Sequence, residues 1–254
     1  MLLKSKPKHF LKTRLVWDRI PRVYPLPDKY KCRWVACGYS QVPGRDFQET
    51  FSPTIKWRHL LICFHIMLFY NLQYNEIDIG TAYLNAEVDT ELYIQLPPEM
   101  TRDIPVYARL LKNLYGLKQG ARNFFLLLMK IILGYGLKQS KIDPCVYIMN
   151  DPIMLVTTQV DNINVWFKVQ KTYDDFLKYL RTQFKEVTES LIPKRIIGIN
   201  MHYLNIQQKE TYKSVEELLS ERETDFSDVS GHSTTISFGD VHIRVGPVDC
   251  DSLR

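Results

Sequence analysis

Residues 74 to 85 read YNEIDIGTAYLN, and the apolar positions Ile77 and Ile79 alternate around Asp78. A period of two is the signature of a strand, so Leu72 to Ile79 is predicted as a strand that carries a carboxylate among apolar residues. Shorter runs predict further strands at 31–36 (KCRWVA), 91–95, 106–112 and 196–204. Cys145 to Met149 and Ile153 to Val160 are apolar runs joined by Asn150-Asp151-Pro152, a hairpin signature whose proline suits a turn longer than two residues. Helical spacing predicts helices at 57–70, at 121–134 where an unbroken apolar face ends at a glycine, at 173–184, and an exposed one at 211–223. Gly, Pro and Asp make GYSQVPGRDFQETFSP a loop. Residues 1–29, basic and dotted with prolines, are expected to form an irregular lead-in. From residue 225 onward Ser, Thr, Gly and Asp dominate; a tail without a fold of its own is expected there, a weak β segment being the alternative. No internal repeat is present.

The composition narrows the picture. With 254 residues, 45% hydrophobic and 24% charged, the chain can bury a proper core and is not of disordered type. A net charge of +5 is compatible with a polyanionic partner without demanding one. The five cysteines (Cys32, Cys37, Cys63, Cys145, Cys250) are scattered, odd in number and form no CxxC pair. This argues against a disulfide framework or a structural zinc site and for a reducing, intracellular compartment, cytoplasmic or nuclear. The N-terminal MLLKSKPKHFLK is basic but lacks an apolar core and a small-residue cleavage site, so it does not read as a secretory signal. The apolar stretch from His59 to Tyr70 is too short to span a bilayer, so no membrane association is expected.

Two carboxylates stand out. Asp78 lies on a predicted strand, and Asp161 follows an apolar strand at a predicted turn between IMLV and INVWF. Two carboxylates from a strand and a neighbouring hairpin can hold divalent cations for nucleotidyl transfer. Taken singly, Asp78 also fits an ordinary strand-end carboxylate, and Asp161 a surface turn.

A second string, LLKNLYGLKQGAR at 110–122, follows the first in the chain. The two, in this order, resemble the polymerase core of copia-type (Pseudoviridae) LTR-retrotransposon reverse transcriptases. The likeness runs from residue 31 to about 204. KCRWVACGYSQVPGRDFQETFSP resembles that family's fingers motif, IDIGTAYLN its first catalytic motif, ELYIQLPPEM the segment after it, and KIDPCVYI the strand before its catalytic turn. FKEVTES and RIIGINM resemble a later motif more loosely. The resemblance implies an α+β fold: a right-hand polymerase palm with partial fingers, an antiparallel sheet backed by helices, and a thumb reduced or absent. It implies fingers and palm over 30–205, a helical extension over 206–224 and a tail over 225–254.

By position, the same resemblance implies that Asp78 and Asp161 bind Mg2+ or Mn2+. Tyr83 would stack under the incoming sugar, Gln119 would contact the nucleotide, and Lys31 and Arg33 would hold the triphosphate. Lys118 and Arg122 would touch template backbone. Without the resemblance, Tyr83 fits a core tyrosine, Lys31 and Arg33 a solvated basic strand, and Lys118 and Arg122 a helix N-terminal surface. The implied partners are an RNA or DNA template-primer and deoxynucleoside triphosphates.

Three departures from the family pattern qualify these implications. Gln159-Val160-Asp161-Asn162 stands where the family carries Tyr-Val-Asp-Asp, so Asn162 is a degenerate catalytic position and Gln159 puts an amide in place of an aromatic ring. Cys37 stands where an arginine is usual. Together they imply an RNA-directed DNA polymerase with weak or no activity. The other readings are a non-enzymatic retroelement remnant that binds nucleic acid, and a host protein that reuses the fold as an interaction module. No protease, integrase or RNase H signature accompanies the polymerase motifs, so a truncated polymerase segment is expected.

Overall fold

The structure, a computed structural model, describes residues 2–22, 26–102, 104–191, 195–196, 199–200, 234–238 and 241–245. The chain opens with strands β1 (Leu11–Ile20) and β2 (Lys29–Ala36), then helix α1 (Trp57–Tyr70), strand β3 (Gln73–Ile79), the short helix α2 (Ala82–Asn85) and strand β4 (Glu87–Gln95). The one-turn helix α3 (Pro98–Thr101), strand β5 (Tyr107–Lys112) and helix α4 (Gly120–Tyr135) follow. Next come β6 (Lys138–Gln139), β7 (Val146–Asn150), β8 (Ile153–Gln159), β9 (Asn162–Phe167), helix α5 (Gln170–Gln183) and β10 (Val187–Leu191). Two short pairs end the described chain: β11 (Arg195–Ile196) with β12 (Ile199–Asn200), and β13 (Thr234–Phe238) with β14 (Val241–Val245). This is a mixed α+β fold, as expected.

The central sheet has six strands in the order β10-β3-β9-β8-β7-β6, antiparallel throughout. Alternation along its strands sends two sets of side chains to opposite faces. Ile77 and Ile79 of β3, with Ile163, Val165 and Phe167 of β9, pack against Phe124 and Leu128 of α4 and Phe176 and Leu180 of α5. On the other face Tyr74, Leu155 and Trp166 pack under Leu60 and Phe64 of α1. That second face changes character along its length. In register with Tyr74↔Trp166 come Glu76↔Asn164 and then Asp78↔Asn162, so the apolar floor under α1 gives way to a polar floor at the far end.

A second sheet of four strands, β2-β1-β4-β5, carries its own core of Leu11, Leu92, Ile94 and Ala108. It corrects the expected irregular lead-in over 1–29, because ten of those residues form β1. β1 runs antiparallel to β2 and parallel to β4, with Leu11 opposite Ile94. Only Leu11 and Thr13 of β1 are buried, so its sequence lacks the apolar stripe by which a strand is recognised. Most of the strand expected at 196–204 and all of the helix at 211–223 lie outside the described residues. Within 225–254, β13 and β14 pair antiparallel, which is the β alternative for that stretch. Among the described residues no helix is long and apolar enough to cross a membrane.

Candidate active site

The β8–β9 hairpin closes tightly. Gln159 pairs with Asn162, which leaves Val160 and Asp161 as the turn. Val160 sits at φ +55°, in the left-handed region. A β-branched residue there is strained, and such strain gathers where a turn must present a particular side chain. The turn locks onto β3 through the Ile79 N–H, which donates to the Asp161 carbonyl at 3.0 Å. Asp78 is therefore carried beside the turn, opposite Asn162.

On the other side of β3, β10 sets Thr188 opposite Asp78, and the Gly80 N–H donates to the Glu186 carbonyl at 2.9 Å. A Cβ on Gly80 would run into the Glu186 side chain, so the close approach of β10 depends on that glycine.

Asp78 and Asp161 line one cavity of about 910 Å³, together with Glu186 and Thr188. Its opposite wall is cationic and comes from the other sheet: Lys31 and Arg33 of β2, and Lys112 of β5. Arg33 lies 3.8 Å from Asp18 of the neighbouring strand, and Lys112 donates to the Asn85 carbonyl at 3.0 Å. The electrostatics follow the geometry. Burial first, and the like charge of Asp161 second, raise the Asp78 carboxyl above the ordinary carboxylate range, while Lys31 opposes the rise. Burial and the charge of Asp78 raise Glu76 in the same way. A carboxylate floor facing a lysine–arginine wall can bind a group that is anionic on one side and carries cations on the other.

The family described as "Reverse transcriptase (RNA-dependent DNA polymerase)" matches residues 6–227. The chain belongs to the reverse transcriptase family. This reverse transcriptase chain is 30% identical over 186 residues to the "Retrovirus-related Pol polyprotein from transposon RE1" of Arabidopsis thaliana, which covers 65% of the chain and 13% of that polyprotein. It is 31% identical over 121 residues to the corresponding polyprotein from transposon TNT 1-94 of Nicotiana tabacum, covering 47% of the chain and 9% of the relative. To the Transposon Ty1-BL Gag-Pol polyprotein of Saccharomyces cerevisiae it is 25% identical over 208 residues, 78% of the chain and 11% of the relative. The chain thus spans about an eighth of the length of the first of these relatives. The resemblance to copia-type elements holds.

The cavity is lined by only some of the residues singled out in the sequence. Gln119 is fully buried and does not line the cavity. Its amide oxygen accepts from Gln41 Nε2 at 2.9 Å, and its own Nε2 donates to the Asp46 carbonyl at 2.9 Å. Gln41 in turn accepts the Lys118 N–H at 2.8 Å. Here Gln119 fastens the 38–47 loop to the start of α4. Lys118 holds its ammonium 5.1 Å from the Phe47 ring, and Arg122 pairs with Glu49 at 2.7 Å, so both cations already have partners. Cys37 is buried just after β2 and is not part of the cavity lining.

Tyr83 is half-buried behind the site. Its ring meets Tyr115 edge-on at 5.2 Å and 68°, and Phe124 at 6.5 Å and 84°. The cavity is lined by Tyr115 and not by Tyr83. Sequence reasoning missed Tyr115, Lys112 and Glu186. Tyr115 stands inside the quoted LYGLKQ string, but only the fold turns it toward the carboxylates.

Proposed function

We propose that the chain is the palm and partial fingers of an RNA-directed DNA polymerase, the six-stranded sheet being the palm and the four-stranded sheet the fingers. One observation carries this reading: Asp78 and Asp161 share a cavity with Lys31 and Arg33 on the facing wall. The donor set suits magnesium or manganese. Among the described residues no three His, Cys, Asp or Glu side chains converge as a ready-made metal site. Magnesium, however, is usually held by one or two carboxylates and completed by substrate phosphates and water. When bound, the metals would activate the primer hydroxyl and offset charge on the leaving pyrophosphate. Asp78 and Asp161 would hold the cations, Lys31 and Arg33 would hold the triphosphate, and a template-primer would lie across the cleft. Lys118 and Arg122 would reach template backbone by exchanging their present partners.

Asn162 withdraws one negative charge from this site. A loss of about 3 kcal/mol of transition-state stabilisation slows a reaction roughly a hundredfold, so weak activity is the expected state. The test is primer extension on RNA and DNA templates with magnesium and with manganese, alongside Asp78→Ala. Faint, metal-dependent extension that vanishes in the Asp78→Ala protein supports the reading. Robust magnesium-dependent extension removes the impairment, and extension that survives Asp78→Ala removes the site.

A further inference from the structure

The segment ahead of β1 is fastened to the four-stranded sheet at both of its ends. Leu2 forms an antiparallel bridge with Ala108 of β5, and the Leu3 N–H donates to the Tyr107 carbonyl at 2.9 Å. At the other end the Phe10 ring meets the Tyr107 ring edge-on at 4.8 Å and 68°. Beside Phe10 stands His9, whose Nε2 lies between two opposite charges. It is 3.1 Å from Asp46 Oδ2 and 2.8 Å from Arg45 Nη2.

One imidazole nitrogen cannot satisfy both neighbours. A guanidinium only donates and a carboxylate only accepts, whereas Nε2 either carries a proton or presents a lone pair. The neutral ring keeps the Arg45 contact with its proton on Nδ1: Nε2 then accepts from Arg45 and turns a lone pair on the carboxylate. The protonated ring donates to Asp46 and displaces Arg45 Nη2, while Arg45 stays on Asp46 through its Nε at 3.1 Å. One proton decides which bond exists.

Asp46 keeps its charge through this exchange. Its side chain is 2% exposed and also accepts the Val42 N–H at 2.8 Å. Burial raises this carboxyl, but Arg45, the Val42 N–H and His9 together outweigh burial and hold it below the ordinary carboxylate range. The contacts from other elements are neutral: the Asp46 carbonyl accepts from the Thr90 hydroxyl of β4 and from Gln119 Nε2 at the start of α4, both at 2.9 Å. On the segment itself, Lys8 precedes His9 in the chain, and the Lys6 ammonium lies 5.4 Å from the Phe10 ring.

We infer that His9 is a proton-operated latch that fastens residues 2–10 to the 42–47 loop, tightly when protonated and loosely when neutral. The protonated ring forms a charge-assisted bond to a carboxylate shielded from water; the neutral ring holds only the bond from Arg45 and faces that carboxylate with a lone pair. Attachment that favours the protonated ring is fully present below the pH range in which histidine titrates and is lost as pH rises through it. The latch is independent of the polymerase reading.

The test is hydrogen–deuterium exchange of the full chain at about pH 5 and about pH 8, the two ends of the histidine range. Rates are corrected for intrinsic exchange at each pH, and the α4 amides serve as the reference for global stability. Residues 2–10, the Leu3 amide among them, should be about threefold better protected in acid, the size of effect expected of a partly exposed ion pair. His9→Gln, which stays polar without titrating, should abolish the difference. Arg45→Met removes the partner of the neutral ring and should widen it, by loosening the segment at the higher pH alone. His9→Asn is read instead if the glutamine protein shows no cooperative melting. Equal protection of the wild-type segment at both pH values, or a difference that survives loss of the imidazole, overturns the inference. So does an Arg45→Met protein whose segment loosens equally at both.

Discussion

Asp78 lies directly opposite Asn162 in the antiparallel register of β3 and β9, at the end of the pairing where the Asp161 turn begins. Position 162 is therefore a cross-strand neighbour of the first carboxylate. Like charges directly opposite each other destabilise an antiparallel pair by a few tenths to about 1 kcal/mol. Asn162→Asp is expected to lower the melting temperature of the metal-free protein, and magnesium should restore it. The same variant should gain magnesium-dependent primer extension over the wild-type protein. A variant that melts like the wild type with and without magnesium would show that position 162 does not sense the site.

A buried carboxylate outside the cavity lining predicts a response to acid. Asp143 is buried; its Oδ2 lies 2.6 Å from His59 Nδ1, and it accepts the N–H groups of Cys145 and Lys56 at 2.9 and 3.2 Å. Burial alone would raise this carboxyl, but the His59 contact and then the two backbone N–H groups outweigh it and hold the group below the ordinary carboxylate range. The stabilisation is fully present above the unfolded value, about pH 3.9, and is lost as pH falls through the lower folded value. Asp143→Asn should cost about 2 kcal/mol at neutral pH. In urea melts the gap between the two proteins should shrink below about pH 4. A gap constant from neutral pH to strong acid would show that Asp143 is not the linked group.

Two glycines in one loop predict unequal costs. A Cβ on Gly38 would collide with the carbonyl oxygen of Gly116, where the end of β2 meets the turn that holds Tyr115. Gly44 has open space around its Cβ position but sits at φ +78°. Gly38→Ala should therefore cost about 3 kcal/mol or more through overpacking against backbone, and Gly44→Ala about 1 to 2 kcal/mol through backbone strain alone. Equal shifts in thermal melting would mean that the two loops do not touch.

Val160 carries strain that glycine would release. Its φ of +55° costs of order 1 to 3 kcal/mol, against roughly 0.5 to 1 kcal/mol for the extra chain entropy of glycine. Val160→Gly should raise the melting temperature, because the first quantity exceeds the second. A lower melting temperature would show that the valine side chain contributes contacts that outweigh the strain.

What the sequence disclosed followed from local periodicity. β3, the β7–β8–β9 run, α1, α4 and α5 carry apolar repeats of their own, so their existence was readable before any partner was known. β1 was not, because only its first residues are buried and it becomes a strand through pairing with β2 and β4. The carboxylate pair was readable because the motifs preserve their order. The environments of Gln119, Cys37 and Tyr115 were not, since each is set by contacts between segments far apart in the chain. Gln119 meets Gln41 across 78 positions, a contact that no window along the sequence contains.

That buried amide chain also separates two responses to ionic strength. Gln41, Gln119 and the Asp46 carbonyl hold the loop to α4 through neutral groups shielded from water. Dissolved ions have little to screen there, whereas contacts between lysine or arginine and a phosphate backbone weaken steeply as salt rises. On the proposed polymerase reading, salt should therefore release a template-primer from the cleft well before it loosens the frame around it. A salt wash would then return the protein folded, with its cleft still shaped to bind again.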